Sequence, residues 1–258
     1  MSIFFPSDLT SASLVRFFVL VGFGVVYGLL EYQGRFRLSY SKFNQGGAIP
    51  SRIGMLVIYA LPMFFYLLCY VATAGERHLY HQLVLAAVVG HFLKRCLETL
   101  FLHRYSGHLS LRSLVSIVLG YCAIVGTIHL AVNLRTPASL VQQHSVLFSS
   151  ALGAVVFLLG ELGNLYHHVL LARLRGPADK SYQIPQGGLF RLVACPHYFF
   201  EIVAWVGIAI MSKQLMVFGV ISFSVFYLLA RSVSTVRWYK AKFADYPSER
   251  KAIIPYVF

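Results

Sequence analysis

Four short stretches carry nearly all the side chains able to do chemistry. The first is Lys94-Arg95-x-x-Glu98, charges placed at the end of an apolar run. The second is Glu161 to Arg175, in which Asn164, His168 and Arg175 recur about one helical turn apart. The third runs from Tyr182 through Gly187-Gly188 to His197 and Glu201. The fourth is Arg231, Thr235 and Tyr239, spaced four apart. Arginines beside a glycine turn suit a phosphorylated ligand, because backbone N–H groups around such glycines can cradle an anion. His197 and Glu201 share one helix face at the start of an apolar run. A polar stripe such as Asn164–His168 facing lipid is implausible, so these residues point to a wet pocket. Snorkelling at the membrane surface is the plain alternative for Lys94 and Arg95, a simple inter-span turn for the third stretch, and a solvated basic tail for the fourth.

Other chemistries find no support. There is no G-x-G-x-x-G or G-x-x-x-x-G-K-[ST] run and no H-E-x-x-H, so neither a soluble nucleotide fold nor a metal centre is indicated. His167 and His168 are adjacent, which is not a metal-ligand spacing. Nine acids in all leave little room for paired-carboxylate work, and the four cysteines are scattered with no C-x-x-C pair.

The elements that must position these residues are membrane helices. The chain is 58% hydrophobic and only 12% charged, against roughly 25% charged for a soluble domain. The reading is one all-α polytopic domain over 1–258, an integral membrane protein with seven transmembrane helices. The expected spans are 14–30, 53–72 (with Pro62 as a kink), 82–101, 114–132, 146–171, 197–211 and 215–229, the last continuing as a helix into the tail. The first is read as a retained span, since no small-residue cleavage pattern follows it. Eighteen Lys and Arg fall in segments 31–52, 94–112, 173–191 and the tail from 231, while the alternate connections hold only Arg77, Arg135 and Lys213. That alternation puts the N-terminus on the lumenal side and the C-terminus in the cytosol. The net charge of +13 is then explained by topology and anionic headgroups, with no nucleic-acid partner.

Several runs together carry a family resemblance: His91 to Phe101; Tyr182-x-Ile184-Pro185-x-Gly187-Gly188-Leu189-Phe190; Cys195 to Trp205; and Tyr239-x3-Phe243-x-Asp245-Tyr246-Pro247-x-x-Arg250-Lys251-Ala252-Ile253-Ile254-Pro255. The chain resembles the membrane steroid 5α-reductases (3-oxo-5α-steroid 4-dehydrogenases), with the look of the plant branch, and their relatives the very-long-chain enoyl-CoA and polyprenol reductases. The likeness begins near Ile53 and is strongest in the last hundred residues; region 110–258 is the part expected to hold most of the cofactor site. It implies a multi-pass protein of the endoplasmic reticulum membrane and NADPH as hydride donor. By position it implies cofactor contacts at Arg95, Asn164, Arg175, Tyr182, His197, Glu201, Arg231 and Tyr239, with His168 and Thr235 where other members also use polar contacts.

The resemblance implies addition of a hydride to an α,β-unsaturated carbonyl of an apolar lipid or steroid entering from the bilayer. The favoured substrate is a 3-oxo-Δ4 steroid. The usual donors of the animal enzymes are replaced, since Ala60 and Phe92 stand where a glutamate and a tyrosine are expected. Tyr59 and His91 are the nearest candidate catalytic donors. An enoyl-CoA or polyprenol reductase, a non-catalytic lipid-binding scaffold and a membrane methyltransferase using S-adenosylmethionine are the competing readings.

Overall fold

The structure is a computed structural model. It describes residues 4–5, 9–36, 38–43, 46–75, 77–105, 107–136, 138–141, 144–174, 176 and 181–258. The expected Arg175 lies outside the described residues.

The apolar runs form helices because a helix satisfies every backbone polar group within its own segment, as the interior of a bilayer demands. They are α1 Ser11–Tyr32, α2 Ser51–Ala72, α3 Leu79–Leu97, α4 Leu111–His129, the single turn α5 Ala138–Val141, α6 His144–Arg173, α7 Pro196–Ser212 and α8 Leu215–Lys242. Each of the seven expected spans lies within one of these long helices and its terminal turn. Five have the length and apolarity to cross a membrane: α1, α2, α4 extended to Leu134, α6 and α8. The apolar helix α7 is shorter, at 17 residues. Helix α3 carries Lys94 and Arg95 in its last turn.

Local signals set the helix ends. Thr10 and Ser110 cap α1 and α4 by accepting the backbone N–H groups of Ser13 and Ser113. Pro196 opens α7 at a position where its missing N–H costs nothing. Lys213 closes α7 in the left-handed conformation, with φ 54°. Helix α2 runs unbroken through Pro62. Helix α3 continues into a π-turn, Glu98–Leu102, and α4 into another, Leu130–Leu134.

Burial is inverted relative to a soluble protein. Large apolar side chains such as Phe18, Phe23, Leu68 and Phe101 face outward, while Glu31, Arg95, Glu98, Glu161, Glu201 and Arg231 are buried. A central apolar cluster including Tyr66, Val88, Phe92, Ile128, Trp205 and Ile208 fills the bundle between them. Helix α1 packs on α8, α2 on α3 and α4, and α6 lies along α7. The α6–α7 contact is backbone to backbone. A Cβ at Gly160 would fall inside contact distance of the Ala204 backbone, and one at Gly207 would meet Phe157. Small residues at such crossings are how membrane helices approach when the hydrophobic effect does not drive them together.

Beyond α8 the chain folds back. The Ala194 and Cys195 amides donate to the Lys251 and Ala252 carbonyls at 2.9 and 3.0 Å, and the Lys251 amide donates to Leu192 O at 3.0 Å. Arg250 donates to Pro185 O at 2.9 Å. The tail therefore holds the Gly-rich loop against the end of the bundle. A short antiparallel pair, Ile49–Pro50 with His108–Leu109, ties the α1–α2 and α3–α4 connections together at the same end.

The α6–α7 contact sets one expectation. Gly160→Val forces two backbones apart and should cost about 1–3 kcal/mol, read as a lowered Tm in detergent. Gly120→Ala, a site with open space around it, should leave Tm unchanged or slightly raised.

Candidate active site

Three helix ends and three connections meet where the tail folds back, and a cleft of about 180 Å³ opens among them. Its walls include Lys42 from the α1–α2 connection, His103 and Arg104 after the π-turn of α3, Tyr182, His197 at the start of α7, and Tyr239 near the end of α8. Three of the expected residues, Tyr182, His197 and Tyr239, are thus brought to one surface. The Lys42 ammonium sits 4.7 Å over the Tyr239 ring, and the Tyr182 ring meets the edge of Trp238 at 4.9 Å. Lys42 and Arg104 were legible only as part of the charge count, because loop residues have no period from which to place them.

Next to two of the cleft residues is an ionic knot, whose His168 ring lies 4.9 Å from that of His103 and 5.5 Å from that of His197. Arg95 reaches three groups: Nη1 bonds Glu98 Oε2 and lies 2.9 Å from His168 Nδ1, and Nη2 donates to the Tyr59 hydroxyl at 2.7 Å. His168 Nδ1 is also 3.1 Å from Glu98 Oε2. Beside this knot Lys94 pairs with Glu161 at 2.7 Å and donates to Asn164 Oδ1 at 2.6 Å. Asn164 in turn donates to the His197 carbonyl at 2.8 Å. The polar stripe read from Asn164 and His168 therefore faces inward, and α3, α6 and α7 are joined through it. Glu98, His103 and His168 bring ligand-type atoms within 4.8 Å of one another. The Arg95 guanidinium already bonds two members of that set, which marks it as an anchored ion pair.

The cleft fits an anionic, aromatic ligand. Lys42 and Arg104 bring positive charge to it, and Tyr182 and Tyr239 bring aromatic surface. His103 Nδ1 and His197 Nδ1 are buried nitrogens with no hydrogen-bond partner among the described residues. An orphaned buried polar atom in a cleft wall is costly unless a ligand meets it. Burial and the nearby Arg95 charge depress the His103 pKa to about 4, so its ring is neutral near pH 7.

Other expected residues lie elsewhere. Arg231 is turned away from the cleft: Nη1 bonds Glu31 Oε1 at 2.8 Å and Leu38 O at 3.2 Å, and the guanidinium lies 4.0 Å over the Phe43 ring. It anchors the segment that carries Lys42. Thr235 is buried against Cys195, whose thiol is pushed up to about 11 by burial and is no nucleophile. Gly187 and Gly188 both take positive φ, 84° and 50°, as the turn requires. That turn is no open anion cradle, since the Leu189 amide donates to His167 Nε2 at 3.2 Å.

Within the core of the bundle is an aromatic box. The His91 ring lies 4.7 Å from that of Trp205, and Tyr121 from α4 stacks over Trp205 at 6.4 Å. Phe92 meets Tyr121 edge-on at 5.3 Å, and Tyr59 is 6.2 Å from Tyr121. His91 Nδ1 lies 2.6 Å from Glu161 Oε1. The Tyr121 hydroxyl makes a long, 3.5 Å contact with Glu201 Oε1. So Tyr59, His91 and Glu201 share one chamber with Tyr121, an aromatic that in sequence looks like any other in an apolar run.

Two outcomes follow from these contacts. Arg231→Ala leaves Glu31 buried without its cation, a loss of about 3–5 kcal/mol for such pairs; a clearly lowered Tm and new protease cleavage between residues 33 and 49 are expected. The depressed His103 pKa means the unfolded chain binds more protons between pH 6.5 and 4. Stability should therefore fall as pH is lowered through that window, and His103→Gln should remove that part of the decline in a Tm-against-pH series.

Comparison with known proteins places this geometry in context. A family model described as 3-oxo-5-alpha-steroid 4-dehydrogenase matches residues 108–258. The chain is 40% identical over 107 residues to a steroid 5-alpha-reductase of Gossypium hirsutum, covering 41% of this chain and 42% of that protein. It is 39% identical over 108 residues to 3-oxo-5-alpha-steroid 4-dehydrogenase 2 of Homo sapiens, covering 42% of each. With a very-long-chain enoyl-CoA reductase of Dictyostelium discoideum it shares 30% identity over 212 residues, 79% of this chain and 67% of that protein. The matched part thus spans well under half the length of the two steroid-reductase relatives.

Proposed function

The chain belongs to the 3-oxo-5-alpha-steroid 4-dehydrogenase family, and from that premise we propose that it is an NADPH-dependent reductase of the C=C bond of an α,β-unsaturated carbonyl lipid. The favoured substrate is a 3-oxo-Δ4 steroid giving the 5α-reduced product. The observation that supports this is a cleft with an orphaned His197 Nδ1 at the start of α7, the helix that also carries Glu201 and Trp205 of the aromatic cluster. The proposed setting is the endoplasmic reticulum membrane, with all seven long helices spanning, the N-terminus lumenal and the cleft on the cytosolic side.

In this reading Tyr182, His197 and Tyr239 hold the cofactor with Lys42 and Arg104. Arg175 is proposed to join them on the strength of its place in the sequence motif. Asn164 and His168 brace the ionic knot through Lys94 and Arg95, and Arg231 and Thr235 act from behind by fixing the Lys42 segment and the α7 start. NADPH, when bound, supplies a hydride. The chain's own part is to exclude water with Phe92 and Trp205, to hold the lipid's carbonyl in the box, and to offer a proton-bearing group to the oxygen as negative charge develops there. Tyr59 and His91 are the donors named from sequence; Tyr59 is held by Arg95 and His91 by Glu161.

A second reading keeps the chemistry and changes the substrate to a long-chain enoyl-CoA. The length of the match to the Dictyostelium protein supports it.

Purified protein in detergent or nanodiscs should bind NADPH, measured by nicotinamide fluorescence. Arg175→Ala and His197→Ala should each weaken binding about 10- to 100-fold, the range for a lost charge-assisted or buried hydrogen bond. A panel of 3-oxo-Δ4 steroids, enoyl-CoA thioesters and polyprenols, with products identified by mass spectrometry, assigns the substrate. Absence of NADPH binding, or methyl transfer from S-adenosylmethionine, would overturn the proposal.

A further inference from the structure

We propose that the hydroxyl of Tyr121, presented by α4 and oriented by Glu201, is the catalytic group that donates to the substrate carbonyl oxygen. This inference rests on the reductase reading above and names a residue at that same site.

Three observations carry it. The first is availability. Among the polar groups of the aromatic box, Tyr59 is clamped by Arg95 at 2.7 Å and stacked under its guanidinium at 4.7 Å. His91 has one nitrogen tied to Glu161 at 2.6 Å. Among the described residues the Tyr121 hydroxyl makes one hydrogen bond, donated to Glu201 Oε1 at 3.5 Å, a length at the long limit that costs little to exchange for a closer acceptor. The second is position. Tyr121 is the half-buried member of the box, stacked on fully buried Trp205 and edge-on to fully buried Phe92. It thus stands between the closed interior and the outward side of α4. The third is an unmet need. His91 Nε2 and Trp205 Nε1 are buried in the same box with no partner among the described residues. Orphaned nitrogens beside a loosely held hydroxyl mark a polar spot in an otherwise apolar core, one that a single acceptor atom such as a carbonyl oxygen would satisfy.

The step balances as follows. NADPH, if held by Tyr182, His197 and Tyr239, would supply the hydride with its electron pair to the β-carbon, and the C=C electrons would shift toward the carbonyl. The oxygen takes the Tyr121 proton to give the enol. The enol proton returns to the Tyr121 oxygen as the α-carbon takes up one proton from solvent. The net change is one hydride and one proton added across the double bond, with NADPH oxidised. Tyr59, 6.2 Å away and fixed by Arg95, is the positioning neighbour of Tyr121.

The test moves one hydroxyl. Tyr121→Phe should lower kcat for a 3-oxo-Δ4 steroid by about 100-fold or more, with KM and NADPH affinity within a few-fold of the parent. The double variant Phe92→Tyr/Tyr121→Phe returns the hydroxyl to the ring in direct contact with position 121 and should recover at least tenfold of the loss. A readout independent of turnover is the ultraviolet band of the enone bound with NADP⁺. A red shift is expected in the parent, lost in Tyr121→Phe and regained in the double variant. Retention of more than half the parent kcat in Tyr121→Phe, or an unaltered red shift, would overturn the assignment. Should Tyr121→Phe not fold, a folded double variant with neither turnover nor red shift overturns it equally. A parent protein that reduces no enone with NADPH sinks the reductase reading instead, and the spectral comparison still decides whether Tyr121 meets a carbonyl.

Discussion

A guanidinium buried in a membrane protein must be neutralised where it stands, and Arg95 is the point on which the rest of this structure depends. Ionic groups at such depth are costly unless they face a partner or a cavity. Arg95 meets Glu98 on its own helix, His168 on α6 and Tyr59 on α2. Lys94, one residue away, reaches Glu161 and Asn164 on α6, and Asn164 passes the connection to α7. Two adjacent cations therefore join four helices. The π-turn that begins at Glu98 widens α3 where that carboxylate must turn toward both Arg95 and His168. The network touches both the cleft wall, through the His168 contacts with His103 and His197, and the aromatic cluster, through Tyr59 and the Glu161–His91 pair, so the two are held in fixed relation.

A second ionic clasp works at the other wall. Arg231 and Glu31 are each about 1% exposed, and the guanidinium also receives the Leu38 carbonyl and the faces of Tyr40 and Phe43. The α1–α8 pair and the Lys42 segment are thereby locked as one piece. Truncating such a pair on one side exposes the full desolvation cost of the other.

Much of this was legible in the sequence, for definite reasons. Helices over 14–30, 53–72, 114–132, 146–171 and 215–229 follow from apolar length alone, because bilayer thickness sets a minimum that few other structures need. Asn164 and His168 were legible as an inward stripe, since polar groups at helical spacing in an apolar run have nowhere else to go. Helical spacing also grouped Arg231 with Tyr239, yet Tyr239 lines the cleft and Arg231 does not, because Glu31 and the Leu38 carbonyl take its guanidinium. Lys42 and Arg104 sit in connections without periodicity. Tyr121 has no local mark at all, and only the meeting of α4 with α3 and α7 gives it meaning. The Gly187-Gly188 turn was read for its backbone amides, but His167 from α6 takes the one at Leu189.

The parallel bridge between 192–195 and 250–252 has a consequence for how the molecule is made. Its two strands are separated in the chain by all of α7 and α8, so its hydrogen bonds cannot exist until both helices have been synthesised and inserted. Arg250, which grips Pro185, emerges later still. The helices can assemble in order as they leave the translocon, but the loop bearing Tyr182 stays open until the segment after α8 arrives. Completion of the cleft is therefore among the last events in biogenesis, and a nascent chain halted after α8 is a bundle with one end unclosed.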